Sequence, residues 1–133
     1  MSKEQTEQQN AEEQSLRRAE ELYHKISGEK FEIGERREWM LPMRDGVKLR
    51  TIIQFPGKPL ESTFTERKTY PVVVQRSCYP HTEQLLELHA REYSKRGFVF
   101  VYQWCRGTGG SEGEWVPNIN DRKDGLDTLE YLS

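Results

Sequence analysis

The chain has 133 residues, of which 34% are hydrophobic, so it is long enough for one small domain but not for two. Its 20 basic and 22 acidic residues leave a net charge of −2, which provides no single-sign field for nucleic acid or an anionic membrane surface. The first ten residues are polar and no apolar run is long enough to cross a bilayer, so we expect a cytoplasmic protein.

The N-terminal segment predicts an amphipathic helix over residues 4–26. Apolar residues recur on one side of it, at Leu16, Ala19, Leu22, Tyr23 and Ile26. Gly28 is the expected C-terminal stop. We expect an outer helix packed on its own domain, with a partner-binding helix as the alternative, and we assign it no chemistry. The sequence thus divides into this helix, 1–30, and a domain over 31–133.

A β-hairpin is predicted over residues 38–55, where the pattern changes to strand-like alternation. Asp45 and Gly46 supply the residue types that tolerate positive φ in a tight turn. Residues 56–69 contain prolines, a glycine and polar residues without a period, and therefore predict a loop.

The next part of the chain predicts a parallel βαβ unit. Residues 70–75 and 98–104 are apolar at consecutive positions, which is typical of parallel strands covered on both faces. Residues 81–96 between them predict the crossover helix, which ends at Gly97. A last helix, capped by Asp121, places three leucines on one face, at Leu126, Leu129 and Leu132. The fold class is α/β.

Functional residues are expected beyond the carboxyl ends of the parallel strands, in the loops 76–81 and 105–117. Residues 109–113 match the pattern G-x-S-x-G of a serine nucleophile, with Ser111 at its centre. We interpret this stretch as a glycine-rich turn, because Pro117 would disrupt the helix that must follow a nucleophile. All three histidines also precede Ser111, whereas the histidine follows the serine in this class of site.

The sequence predicts no cofactor. Gly107 and Gly109 would need a third glycine where Glu112 stands to complete a dinucleotide motif, and no Lys-Ser/Thr follows to form a P-loop. Cys78 and Cys105 form neither a CxxC pair nor a Cys/His cluster, so neither zinc nor a disulfide framework is indicated.

Four motifs carry a family resemblance, and they are the segments 42–49 (PMRDGVKL), 79–80 (YP), 106–115 (RGTGGSEGEW) and 124–132 (DGLDTLEYL). Their order and spacing resemble the start of the X-Pro dipeptidyl-peptidase (S15) and cocaine-esterase-like (CocE/NonD) family of α/β-hydrolases. The resemblance covers residues 31–133. It implies the N-terminal part of an α/β-hydrolase fold, with a hairpin and then a parallel βαβ unit, preceded by the amphipathic helix.

The resemblance also implies a role for one residue, Tyr79, which stands where the family has its oxyanion-hole tyrosine. Its phenol would donate a hydrogen bond to the oxyanion that forms during acyl transfer. Residue type alone would favour a tyrosine packed at a strand end. His81 and His89 are interpreted as surface or core histidines. Trp104 and Trp115 flank the crevice, where packing is the favoured role and an acyl pocket the alternative.

By this resemblance the protein is a serine hydrolase that acts on a small ester, amide or peptide substrate. The family's Ser-Asp-His triad lies downstream of the last helix, so we expect an incomplete chain that stops before the nucleophile and is inactive alone. The alternative is a non-catalytic α/β binding or interaction module derived from the same fold.

Overall fold

A computed structural model describes residues 2–61, 69–117 and 119–133. Its elements in chain order are α1 (Lys3–Lys25), β1 (Phe31–Pro42), β2 (Lys48–Pro59), β3 (Val72–Ser77), a 3₁₀ turn (Pro80–Thr82), α2 (Glu83–Lys95), β4 (Val99–Trp104) and α3 (Asp121–Leu132). The described strands form one sheet in the order β1-β2-β4-β3.

The sheet combines an antiparallel hairpin with a parallel pair. β1 pairs antiparallel with β2, and β2 pairs antiparallel with β4. β3 and β4 run parallel, in a register that extends from Val72 opposite Val99 to Ser77 opposite Trp104. The helix α2 connects these two parallel strands. The predicted fold class, a hairpin followed by a parallel βαβ unit, is therefore confirmed.

The hairpin is longer than predicted. The prediction of a loop from residue 56 was wrong for residues 56–59, which belong to β2. β2 continues to Pro59, and its register against β1 shifts on either side of the pairing between Ile33 and Pro56. A Cβ at Gly34 would lie 2.4 Å from the Pro56 carbonyl oxygen, so glycine permits this close approach of the two backbones. Proline is tolerated at such irregular pairings, so β2 continues through Pro56. Residues 62–68 of the predicted loop lie outside the described part.

The core lies between β4, β2 and α2. One buried cluster combines Ile52, Leu86, Ala90, Phe100, Tyr102 and Trp104. In β4, the five residues from Phe100 to Trp104 are all buried, as expected for a strand covered on both faces. β3 is less buried than β4, since the side chain of Val72 in β3 is 47% exposed. Within the described residues β3 is the last strand of the sheet, so its outer edge pairs with nothing there.

The helix α1 confirms the predicted N-terminal helix, and it runs along α2 in the same direction, with its C-terminal end beside the C-terminal half of α2. The Tyr23 hydroxyl hydrogen-bonds the His89 imidazole, and Arg96 donates to the carbonyls of Tyr23 and Ile26 at 3.3 and 2.9 Å. Gly28 is not the cap, because Ile26 already has extended backbone and terminates the helix. None of the described helices combines the length and apolar character that a membrane span requires.

The helix α3 is oriented with a polar face inward. Asp124 and Thr128 are fully buried, whereas Leu126 and Leu129 of the predicted leucine face are 56% and 54% exposed. Asp121 is the first helical residue and not the cap, which is Asn120 without a side-chain capping bond. Burial of Asp124 requires partners for its charge, and these come from elements that surround the crevice described next.

Candidate active site

The parallel strands β3 and β4 end side by side, and the loops that follow them enclose a crevice. Its cavity has a volume of about 450 Å³, within the range typical of ligand pockets. Its lining residues are Gln75, Arg76, Ser77, Cys78, Tyr79, Thr82, Leu85, Leu86, Cys105, Trp115 and Asp121. Both loops that the sequence indicated contribute to this lining, and α2 and α3 complete it.

Tyr79 is held by its backbone at the mouth of this crevice. Its N–H donates to the Ser77 hydroxyl at 3.1 Å, and its carbonyl accepts from the Thr82 N–H and hydroxyl at 3.0 and 2.7 Å. The side chain is 60% exposed, and none of the described residues hydrogen-bonds its hydroxyl. The backbone is thus fixed, while the phenol can donate to a group bound in the crevice.

The two histidines of this region occupy different environments. His81 is exposed at the 3₁₀ turn, with its ring 5.8 Å from the Tyr79 ring. His89 is half-buried on α2 between Tyr23 and Phe100, and this burial lowers the pKa of its imidazole. His89 therefore joins α1 to the domain and does not line the crevice.

Ser111 is tethered within a closely packed loop. Its hydroxyl accepts from the Arg50 N–H at 2.8 Å and donates to the Trp104 carbonyl at 2.8 Å. Among the described residues, the next helix after Ser111 begins at Asp121, whereas a nucleophilic serine of this class is followed directly by a helix. A Cβ at Gly109 would lie 2.3 Å from the Trp104 ring, so glycine is needed there for close packing as well as for its positive φ.

A cluster of charged side chains joins this loop to the hairpin turn and to α3. Arg106 donates to both carboxylate oxygens of Asp124 at 2.7 Å, and to Asp45 at 2.7 Å. Arg44 donates to Asp124 at 2.8 Å and to Asp127 at 3.0 Å. We call these five residues the charge cluster. It fixes the position of α3, and with it one wall of the crevice.

Two carboxylates of the charge cluster, those of Asp45 and Asp124, remain ionised at neutral pH. The hydrogen bond from Arg106 lowers the pKa of Asp45 to about 2. Burial alone would raise the pKa of Asp124, but hydrogen bonds from Arg106 and Arg44 outweigh it and hold that pKa below its usual value. The carboxylates of Asp45 and Asp124 therefore act as fixed anions and not as acid–base groups near pH 7.

The segments that build this crevice match a known family. The family model of the X-Pro dipeptidyl-peptidases (S15 family) matches residues 45–133, from the hairpin turn to the last residue of the chain. The chain belongs to the S15 family.

Three relatives place this S15 chain among hydrolases. Cocaine esterase from Rhodococcus sp. (strain MB1 Bresler) is 31% identical over 97 residues, which are 70% of this chain and 16% of that protein. A selenomethionine-labelled α-amino acid ester hydrolase superposes with a TM-score of 0.57 at 27% identity, over 80% of this chain and 20% of that one. An aminopeptidase from a marine sediment Thaumarchaeota archaeon gives 0.53 at 27% identity, with the same 80% and 20% coverage.

This S15 chain spans a fifth or less of the length of these three relatives. The family match over residues 45–133 contains Tyr79, the residues that line the crevice and every member of the charge cluster except Arg44. The family and its relatives therefore identify the chain as part of a hydrolase lineage that includes esterases and peptidases.

Sequence reasoning missed the polar groups that support the crevice of this S15 chain. Buried Gln103 donates to the Thr51 hydroxyl at 3.0 Å, and its carbonyl accepts from Arg76 at 2.8 Å and from Thr128 at 3.0 Å. Arg76 also donates to the Asp121 carbonyl at 2.9 Å. The available signal was a single glutamine within the apolar run of β4, since a buried amide needs partners.

Cys78 and Cys105 both line the crevice of this S15 chain as free thiols. Burial raises the pKa of the Cys105 thiol, which keeps it protonated and weakly nucleophilic at neutral pH. In the described part of the chain, no three His, Cys, Asp or Glu side chains are grouped to hold a metal ion.

Proposed function

We propose that this chain forms the oxyanion side of the active site of a serine hydrolase that acts on ester or amide bonds. The observation that carries the proposal is Tyr79, whose backbone is fixed at the crevice mouth while its hydroxyl has no partner among the described residues. A donor placed in this way stabilises the negative charge that develops on a carbonyl oxygen during nucleophilic attack.

The proposed chemistry needs a nucleophile that this chain does not supply. In the family, the Ser-Asp-His triad lies downstream of the region that corresponds to α3. Attack by the serine hydroxyl on the substrate carbonyl would give a tetrahedral oxyanion, to which Tyr79 donates together with a backbone N–H next to the serine. We expect the chain alone to be inactive and cytoplasmic.

The substrates we propose are small esters, amides or peptides, and α-amino acid esters foremost. One relative is named for hydrolysis of α-amino acid esters and another is an aminopeptidase. The crevice of about 450 Å³ is of a size that accommodates a small acyl group. No nucleic acid or membrane partner is part of the proposal.

A chimera tests the role of Tyr79. Residues 31–133 would replace the matching segment of the Rhodococcus cocaine esterase, and hydrolysis of p-nitrophenyl butyrate would be measured with Tyr79 and with Tyr79→Phe. We expect a fall in kcat of about 10²–10³-fold with little change in KM, because one oxyanion donor is lost. Tyr131→Phe is the matched control, since Tyr131 is 58% exposed and does not line the crevice. Equal kcat for both variants would contradict the assignment.

The nucleotide sequence 3′ of the Ser133 codon provides an independent test. A reading frame that continues into a strand, G-x-S-x-G and later an aspartate and a histidine would support the serine-hydrolase proposal. Unrelated sequence after a stop codon would favour the second candidate, a non-catalytic interaction module. Leu126 and Leu129, which are exposed on one face of α3, are the observation in its favour, since an exposed apolar helix face is a surface on which a partner can pack.

A further inference from the structure

The two cysteines of the chain lie at the ends of neighbouring parallel strands. β3 pairs with β4 as far as Ser77 opposite Trp104, and the Cys105 N–H donates to the Ser77 carbonyl at 2.9 Å. The next residues of the two strands, Cys78 and Cys105, are therefore neighbours across the strand ends. Adjacent strands lie about 4.8 Å apart, and a disulfide joins residues whose Cα atoms are about 4.4–6.8 Å apart.

The side chains of both cysteines lie on the same side of the sheet. Cys78 and Cys105 are free thiols, and both line the crevice beside Tyr79. Burial raises the pKa of the Cys105 thiol most, and a negative charge on Cys78 would raise it further. This through-space influence requires that the two sulfur atoms lie close together.

The two thiols differ in their access to solvent. Cys78 is partly exposed in the loop after β3, whereas Cys105 is 6% exposed. A dissolved reagent therefore reaches Cys78 first. Cys105 lies between the Arg76 guanidinium, which favours its thiolate, and the Asp121 carboxylate, which accepts a hydrogen bond from its thiol. The buried thiol thus has a neighbour that can take its proton and another that stabilises the resulting charge.

We propose that Cys78 and Cys105 form a redox-modifiable site, at which a low-molecular-weight disulfide such as oxidised glutathione converts the two thiols into one intramolecular disulfide. The Cys78 thiolate attacks the glutathione disulfide, which forms a mixed disulfide and releases one glutathione thiolate. The Cys105 sulfur then attacks the Cys78 sulfur and releases the second glutathione thiolate. The two cysteine protons pass to the two released thiolates, so the chain is oxidised by two electrons and one glutathione disulfide is reduced.

The disulfide acts on the crevice through Tyr79. Cys78 directly precedes Tyr79, whose N–H donates to the Ser77 hydroxyl at 3.1 Å. A covalent bond from Cys78 to the end of β4 draws this loop toward β4 and displaces the phenol. Misplacement by about 1 Å can cost about 10²-fold in rate, so we expect oxidation to weaken the oxyanion donor. This consequence rests on the proposed function, whereas formation of the disulfide does not.

Mass spectrometry of the full 133-residue chain tests the disulfide. The folded chain would be equilibrated with reduced and oxidised glutathione, alkylated with N-ethylmaleimide, separated as a monomer by non-reducing electrophoresis and digested with trypsin. We expect a linked pair of the tryptic peptides 77–91 and 97–106, which contain Cys78 and Cys105. Absence of this pair from the monomer, or glutathione that stays on Cys78, would overturn the proposal.

The contribution of the fold is measured by the same equilibration in urea. Because the strand ends hold the thiols together, the equilibrium constant for oxidation should be at least about 10-fold larger for the folded chain than for the unfolded chain. Equal constants would show that the thiols meet only by random motion of the chain and would overturn the site. This comparison uses the unmodified chain, so it does not depend on whether a variant folds.

Matched serine variants establish the order of the two steps. Cys105→Ser should stop at a mixed disulfide between glutathione and Cys78, because the second thiol is missing. Cys78→Ser should remain unmodified, because Cys105 is buried. Glutathione on Cys105 of the Cys78→Ser variant, to the same extent as on Cys78 of the Cys105→Ser variant, would contradict the role of Cys78 as the first thiol to react.

Hydrolysis by the chimera described above connects the disulfide to the proposed function. Oxidised glutathione should lower kcat for p-nitrophenyl butyrate about 10²-fold, and dithiothreitol should restore it. The chimera with Cys78→Ser should show no such loss, and an equal loss in both chimeras would contradict an effect of the disulfide on Tyr79. The linked peptides are detected without any assay of hydrolysis, so an ineffective Tyr79→Phe exchange would overturn the oxyanion role alone.

Discussion

The Arg106 guanidinium and the Asp124 carboxylate form a bidentate pair, with two nitrogen–oxygen distances of 2.7 Å. The carboxylate is fully buried, and the arginine side chain is 9% exposed. This pair attaches α3 to the loop after β4, so a helix whose leucines face outward is held by its charged face.

Asp124→Asn should strongly destabilise the chain. The substitution conserves shape but removes the charge, which leaves Arg106 and Arg44 without their shared anion. Breaking a buried pair in this way typically costs about 3–5 kcal/mol. Urea unfolding followed by circular dichroism measures the loss. Glu35→Gln, in an exposed pair with Arg37, is the control and should leave the unfolding midpoint unchanged. Equal midpoints for both variants would contradict a stabilising role of the Arg106–Asp124 pair.

Acid should weaken the fold over a defined pH window. The folded-state pKa of Asp45 is about 2, below its usual value near 3.8, and the pKa of Asp124 is also lowered. Carboxylates with lowered pKa values stabilise the folded state above their unfolded pKa, and this contribution disappears as pH falls through the folded pKa. The free energy of unfolding should therefore decline from about pH 4 to about pH 2.

Asp45→Asn tests the origin of this acid dependence. The variant should be less stable at pH 6 and should lose less further stability between pH 4 and pH 2, as measured by urea unfolding at each pH. Glu114→Gln, at an exposed position of the glycine-rich loop, should keep the wild-type dependence. An Asp45→Asn profile parallel to that of the wild type would show that other groups cause the decline.

Ser111→Ala should destabilise the loop without affecting covalent reactivity. The hydroxyl accepts from the Arg50 N–H and donates to the Trp104 carbonyl, so its removal leaves two backbone groups unpaired, at a cost of about 1–3 kcal/mol. A fluorophosphonate probe should label neither the wild-type chain nor the variant. Stoichiometric labelling at Ser111 would show instead that it is a nucleophile. Ser27→Ala, at an exposed position, should alter neither property.

Gly109→Ala should disrupt the loop far more than Gly46→Ala. Both glycines have positive φ, so both exchanges carry backbone strain of about 1–2 kcal/mol. Only at Gly109 would the added Cβ meet the Trp104 ring, at 2.3 Å, whereas nothing lies within 4 Å of a Cβ at Gly46. Thermal unfolding should show a clearly larger decrease in Tm for Gly109→Ala, and equal decreases would mean that the loop can move away from Trp104.

The sequence predicted the elements whose pattern is local. β4 and α2 follow from a continuous apolar run and a helical period, and the turn at Gly46 follows from residue type. The extension of β2 through Pro56 was not predictable, because the tolerance for proline depends on an irregular pairing with β1 that no local pattern encodes.

The candidate site was predictable only in part, for a related reason. The position of Tyr79 beside the crevice was predicted from its motif and the expected loop, whereas its oxyanion role stays a prediction. The charge cluster was not, although Arg44, Arg106 and Asp124 all belong to motifs of the family resemblance. A single charged residue in a sequence is normally expected on the surface. Arg44 and Asp124 are 80 residues apart, so their pairing is known only from the fold that brings them together. The inward face of α3 was hidden by the same effect, since its leucines predicted the opposite orientation.

The span of the charge cluster along the chain affects how long the folded state persists. Arg106 and Asp45 are 61 residues apart, and Arg44 and Asp124 are 80 apart, so these contacts close long loops. Contacts of this kind are expected to form late, after the sheet has organised. Loss of the Arg106–Asp45 and Arg44–Asp124 contacts should therefore accelerate unfolding and leave the refolding rate nearly unchanged, which makes the cluster a determinant of kinetic lifetime.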